Sequence, residues 1–168
     1  LYLQDKLHRT LLKYGYHDIM TPTFEFFNIF GSDVGTTPSK DLYKFFDKEG
    51  NTLVLRPDFT PSIARSAAKY YIEDDMPVKL CYLGNTFINV SKYYQGRLKE
   101  NTMLGAELIN DNSLDADYEI IAIVIDCMKN AGLTEFQVEI GNVAFFNGLL
   151  HEAGITGDSA EELLRLIK

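Results

Sequence analysis

Apolar residues recur along this chain with two different periods, and the switches between them mark its elements. Leu3, Leu7, Leu11 and Tyr14 follow one another at spacings of four, four and three, one face of a helix. Gly15 is placed to stop that helix. Thr21-Pro22 forces an extended step, and a Phe-rich stretch from Phe24 to Phe30 follows. Gly31 to Lys40 is rich in Gly, Ser, Thr and Pro and reads as a loop. Leu42 to Phe46 and Thr52 to Leu55 are β-prone runs around Asp47-Lys48-Glu49-Gly50, which predicts a hairpin. Thr60-Pro61 offers a capping hydroxyl and then a proline suited to a first helical position, with Ile63, Ala67 and Tyr70 turned inward.

The second half alternates in the same way. Val78 to Leu83 and Thr86 to Val90 read as strands separated by Gly84 and Asn85. Ser91 to Asn101 is polar and reads as a mobile loop before a strand over Thr102 to Ile109. Leu114 to Ala131 predicts a helix, with Asp115, Asp117 and Glu119 near its positive end and Gly132 after it. Phe136 to Ile140 reads as a strand and Val143 to Ala153 as a helix ended by Gly154. Ser159 and Glu162 have the spacing of a capping box for a last helix. Consecutive hairpin-like strands between helices indicate an α+β fold, mostly antiparallel sheet flanked by helices, over one domain spanning 1–168.

Composition narrows the function classes. With 168 residues, 46% hydrophobic and 24% charged, the chain is ordinary for a globular domain. No apolar run approaches the roughly 20 residues needed to cross a bilayer, and the first residues do not read as a signal peptide. The net charge of −8 argues against nucleic-acid binding, which usually needs a basic face. Cys81 and Cys127 read as buried free thiols of a reducing compartment. His8, His17 and His151 have no metal-ligand spacing, so no metal is expected. No P-loop, GxGxxG or nucleophile elbow is present, and no cofactor is implied.

Three places carry candidate chemistry. Arg56, Asp58 and Thr60 cluster where a strand runs into a helix start. Asp58 can accept from an ammonium or hydroxyl and Thr60 can offer its own hydroxyl; alternatively, both only satisfy the helix start. Arg97, in Gln95-Gly96-Arg97, can fork onto a phosphate or carboxylate, or be a solvated loop residue. Glu107 is a charge inside an apolar strand; it faces either solvent or a cleft, where it would accept a cation or amine.

Taken together, these segments resemble a known family. Tyr14-Gly15-Tyr16-His17-Asp18-Ile19-Met20-Thr21-Pro22-Thr23-Phe24-Glu25 is similar to motif 1 of histidyl-tRNA synthetases, which places Pro22 at a dimer interface. Leu53 to Thr60 resembles their Leu-Arg-Pro-Glu-Gly-Thr segment, and Phe87 through Glu107 resembles motif 2 and the strand after it. The resemblance implies a class II aminoacyl-tRNA-synthetase-like catalytic fold, of which this chain would be the N-terminal part.

The departures from that family concern charge. The synthetases carry an arginine on the amino-acid carboxylate and ATP α-phosphate where this chain has Ile88, and a glutamate near adenine where it has Val90. Their following Arg-Pro-Gln run is Ser91-Lys92-Tyr93-Tyr94 here. Losing a preorganised cation of this kind costs about 2–4 kcal/mol of transition-state stabilisation. Leu55-Arg56-Pro57-Asp58-Phe59-Thr60-Pro61-Ser62-Ile63-Ala64-Arg65 fits better the synthetase-like regulatory subunits of short-form ATP phosphoribosyltransferases.

That family implies a cytoplasmic, non-catalytic subunit of the first enzyme of histidine biosynthesis, bound to the short catalytic subunit. It implies self-association through the motif 1 region and feedback by histidine as effector, with no tRNA and no membrane. By carry-over, Asp58, Thr60, Arg97 and Glu107 would line a histidine-like pocket, although the family's usual glutamine before that glutamate is Met103. An active or degenerate histidyl-tRNA synthetase, and a module for dimerisation alone, are the rival expectations.

Overall fold

The structure, a computed structural model, describes residues 2–31, 37–73, 75–89 and 98–167. The chain divides into two compact units, Leu1–Thr134 and Glu135–Lys168.

The first unit is built on a three-stranded sheet. Helix α1 (Tyr2–Lys13) ends at Gly15, whose φ of +83° is the left-handed turn that glycine adopts without cost. Strand β1 (His17–Asp18) then pairs in parallel with β5 (Val78–Phe87), which pairs antiparallel with β6 (Glu100–Ile109). Alternation along β5 and β6 gives the sheet two faces. On one, Cys81 packs with Leu11 of α1 and with Ile123 and Cys127 of α3 (Leu114–Ala131), flanked by Leu104, Ala106 and Leu108. On the other, Val78, Leu80 and Tyr82 pack with Phe59 and with Ile63 of α2 (Thr60–Tyr70), flanked by Met103 and Ile109.

A second antiparallel sheet, in the order β2-β4-β3, consists of β2 (Phe24–Phe26), β3 (Lys44–Phe46) and β4 (Thr52–Leu55). Its core holds Phe30, Leu42 and Val54. The predicted hairpin is present, and Asp47 shapes its turn by accepting from the Glu49 and Asn51 amides while Gly50 takes φ +85°. Helix α3 has the predicted bounds: Ser113 caps it through Ala116 N at 3.2 Å, and Gly132 closes it at φ +101°. Three of the four strand pairings are antiparallel among the described residues, in keeping with the expected α+β class.

Several expectations are corrected. The break at Gly84-Asn85 does not exist: β5 runs unbroken from Val78 to Phe87. Gly84 is there for close approach, since a Cβ on it would lie 2.7 Å from Arg56 Nη2 and 2.9 Å from Phe59 Cζ. Tyr70, expected to face inward, is 68% exposed at the end of α2. Strand β6 starts two residues earlier than Thr102, at Glu100. Most of the polar stretch before it lies outside the described residues.

The second unit contains α4 (Val143–Glu152) and α5 (Asp158–Ile167). Residues 136–140 form no strand despite their alternation, because a strand needs a hydrogen-bonded neighbour and this unit has none among its described residues. Ser159 lies inside the first turn of α5, which begins at Asp158, rather than before it.

Candidate functional site

The segment between β4 and α2 makes a sharp corner, and the corner is held by Arg56. Its guanidinium donates to Asn85 O at 2.8 Å, Thr21 O at 2.9 Å and Pro22 O at 3.3 Å, and stacks 4.1 Å over the Phe59 ring. It is 7% exposed, and burial lowers its pKa from the ordinary arginine value. Three carbonyls therefore accept from Nε and Nη1, and a ring face covers the guanidinium plane. Arg56 is a structural tie rather than a ligand-binding cation, which removes it from the predicted polar cluster.

Asp58 and Thr60, whose roles the sequence left open, separate. Asp58 Oδ1 accepts from the Phe59 amide at 2.6 Å and the Thr60 amide at 3.4 Å, the turn-forming role. Thr60 does not cap α2; its hydroxyl donates across to Glu107 Oε1 at 2.7 Å. Glu107 faces a cleft, not open solvent. It stands on the same face of β6 as Met103 and Ile109, and its ladder partner is Leu80. The cleft, about 410 Å³, runs along α2 and is walled by Ile63, Ala67, Val78 and Ile109, with Thr60 and Glu107 among its polar groups.

The electrostatics of this cleft are one-sided. Burial raises the Glu107 pKa above the ordinary carboxylate value, and nearby Asp58 raises it further, against the opposing hydrogen bond from Thr60. Tyr82 is pushed up to about 12 by burial, then by Glu107 and Asp58. Its hydroxyl lies 4.0 Å from Met103 Sδ. Among the described residues neither Asp58 nor Glu107 forms an ion pair with a cation. One lining carboxylate, a hydroxyl and an apolar wall, with the charge of Asp58 close by, suit an ammonium or imidazolium, whose charge would offset the burial of Glu107.

The sequence missed Tyr82, whose ring lies across Gly105 of the paired strand and stacks on Phe59 at 4.3 Å. A glycine inside a strand was the available signal, since it marks a place where another group comes close. Arg97 and Val90 lie outside the described residues. Ile88 follows the end of β5, half-buried, with its amide donating to Lys99 O at 3.0 Å. The Lys99 ammonium is 6.0 Å above the Tyr43 ring. Pro22 is exposed at its ring while its carbonyl accepts from Arg56.

The fold that carries this cleft is a class II synthetase-like core. The histidyl-tRNA synthetase family model matches residues 2–168, and the chain belongs to that family. Within it, the chain is 40% identical over 165 residues to a protein of Ruminiclostridium cellulolyticum named ATP phosphoribosyltransferase regulatory subunit. A protein of the same name from Acetivibrio thermocellus is 39% identical over 168 residues. Each match covers 98% of this chain, which spans only 39% of the length of each of these relatives.

Solved structures agree on the fold. A Bacillus halodurans protein described as an ATP phosphoribosyltransferase regulatory subunit/histidyl-tRNA synthetase superposes with a TM-score of 0.86 at 38% identity, covering 98% of this chain and 42% of that one. Apo histidyl-tRNA synthetase of S. aureus gives 0.64 at 28% identity, covering 79% of this chain and 30% of that one.

Proposed function

We propose that this chain is the N-terminal part of a regulatory subunit of ATP phosphoribosyltransferase. In that role it acts in the first step of histidine biosynthesis, carries out no aminoacylation, and resides in the cytoplasm with a short catalytic subunit as partner. The observation that carries this is Ile88 at the end of β5, where the synthetases hold a cation against the α-phosphate. An aliphatic side chain offers no charge to a transferring adenylyl group. The names of the relatives support the same reading.

The cleft beside α2 is then the effector site, with Thr60 and Glu107 on the ligand and Asp58 lending negative charge. Histidine is the proposed ligand, since its ammonium and imidazole both suit an anionic cleft with an apolar wall. Arg97 is proposed to meet its carboxylate, and the Pro22 region to meet a second copy.

The test uses the full-length protein. Mixed with a short ATP phosphoribosyltransferase catalytic chain, it should co-purify with that chain and raise its turnover, and histidine should suppress the increase. No association and no rise in turnover would leave a module for self-association alone. Histidine-dependent exchange between ATP and pyrophosphate would show an active synthetase and defeat the proposal.

A further inference from the structure

On the opposite face of the sheet from the cleft, three side chains of different chemistry converge. The parallel register of β1 and β5 sets Asp18 beside Cys81, so their side chains share one face. Helix α1 packs on that face through Leu11 and brings His8 over the pair. His8 Nε2 lies 2.6 Å from Asp18 Oδ1, and Cys81 Sγ lies 3.6 Å from the same oxygen. One atom from each residue falls within a group whose members are all within 4.8 Å of one another.

We propose that His8, Asp18 and Cys81 bind one zinc-class divalent ion, with water completing a tetrahedral shell.

The donor set selects the ion. Imidazole, carboxylate and thiolate together are borderline-soft ligands, suited to zinc and its neighbours in the transition series and unsuited to magnesium or calcium. Zinc bonds of ordinary length put their ligand atoms about 3.3–3.6 Å apart around a tetrahedron. The thiol–carboxylate spacing already matches, and the imidazole and carboxylate must part by roughly 0.7 Å to admit an ion. Charge also balances: a thiolate and a carboxylate neutralise a divalent ion, with the imidazole neutral. Binding converts the Cys81 thiol to a metal-bound thiolate, and its proton leaves to solvent.

Access and burial fit an open, three-ligand site. Cys81 is 0% exposed, while the His8 and Asp18 side chains retain 24% and 63% of their exposure. The ion therefore enters from the carboxylate side and settles against a sulfur at the floor. Once bound, it ties α1, β1 and β5 together in place of the direct His8–Asp18 contact.

The test is a titration of the full-length, chelator-treated protein with cobalt(II), followed by zinc. The expected result is a thiolate-to-cobalt charge-transfer band that saturates at one equivalent, is bleached by zinc and is untouched by magnesium. Cys81→Ser should abolish the band, and Cys127→Ser should leave it intact. His8→Gln and Asp18→Asn, both at solvent-reached side chains, should each weaken binding by at least about tenfold, the lower range for loss of even an outer partner. No thiolate band in the unsubstituted protein overturns the proposal. So does a band that survives Cys81→Ser, or one whose affinity ignores both His8→Gln and Asp18→Asn.

Discussion

Replacing Gly105 by alanine tests the packing beneath the cleft. A methyl at this position would run into the Tyr82 hydroxyl and Cζ and lie 2.9 Å from Cε2. The ring has little freedom to retreat, because it is 7% exposed and stacked on Phe59 at an interplanar angle of 17°. Ordinary contact between carbons begins near 3.5 Å, so either the ring or β6 must move by more than half an ångström. Forcing one methyl into a packed interior costs about 1–3 kcal/mol, which lowers the melting temperature by roughly 2–12 °C at the usual sensitivity of a mid-sized protein. The assay is thermal unfolding of the full-length protein in four forms: unsubstituted, Gly105→Ala, Tyr82→Ala, and both together. If the collision is the cause, the second substitution removes it, and Gly105→Ala should cost little in the Tyr82→Ala background. A cost that is the same in both backgrounds refutes the reasoning, as does a Gly105→Ala protein within about 0.5 kcal/mol of the original.

Other expectations follow from the same structure. Glu107 has a raised folded-state pKa, so its favourable contribution is complete below the unfolded carboxylate value and is lost as pH rises through the folded one. Glu107→Gln should therefore stabilise the protein at pH 7, with the advantage shrinking on acidification; an advantage that grows toward low pH contradicts the assigned cause. Glu25 is 8% exposed and held by Arg65 Nη2 at 2.6 Å. Arg65→Met strands that carboxylate and should cost about 2 kcal/mol, less than for a fully buried pair because Arg65 is 39% exposed. Ser113→Ala removes the cap on α3 and should cost about 1 kcal/mol in denaturant unfolding, with Ser113→Asp largely restoring it.

Much of this arrangement was legible in the residues because it is written locally. The bounds of α3 follow from early acids and a closing glycine, both local to the element, and the Ser113 cap, which sequence reasoning missed, is local as well. The β3–β4 hairpin is equally local, since Asp47 and Gly50 dictate their own turn. What failed depended on distant neighbours. Gly84 looked like a break because nothing near it in sequence reveals the Arg56 fork lying over it. Residues 136–140 alternate like a strand, but alternation does not supply a pairing partner. Thr60 looked like a cap until Glu107 came into reach across the sheet. His8, Asp18 and Cys81 showed no ligand spacing, because a helix, a short strand and a long one bring them together only after folding.

The tie made by Arg56 constrains the order in which this molecule can assemble. Its three acceptors lie 35, 34 and 29 positions away along the chain, at Thr21, Pro22 and Asn85. The guanidinium therefore cannot complete its hydrogen bonds on a nascent chain until Asn85 has emerged from the ribosome, and contacts between such distant segments form slowly. Until that moment only Thr21 and Pro22 are there to accept from it, and water must serve the rest of the fork. The corner that shapes the cleft is thus complete only when both flanking segments have arrived, and the arginine gives up the last of its hydration at that point.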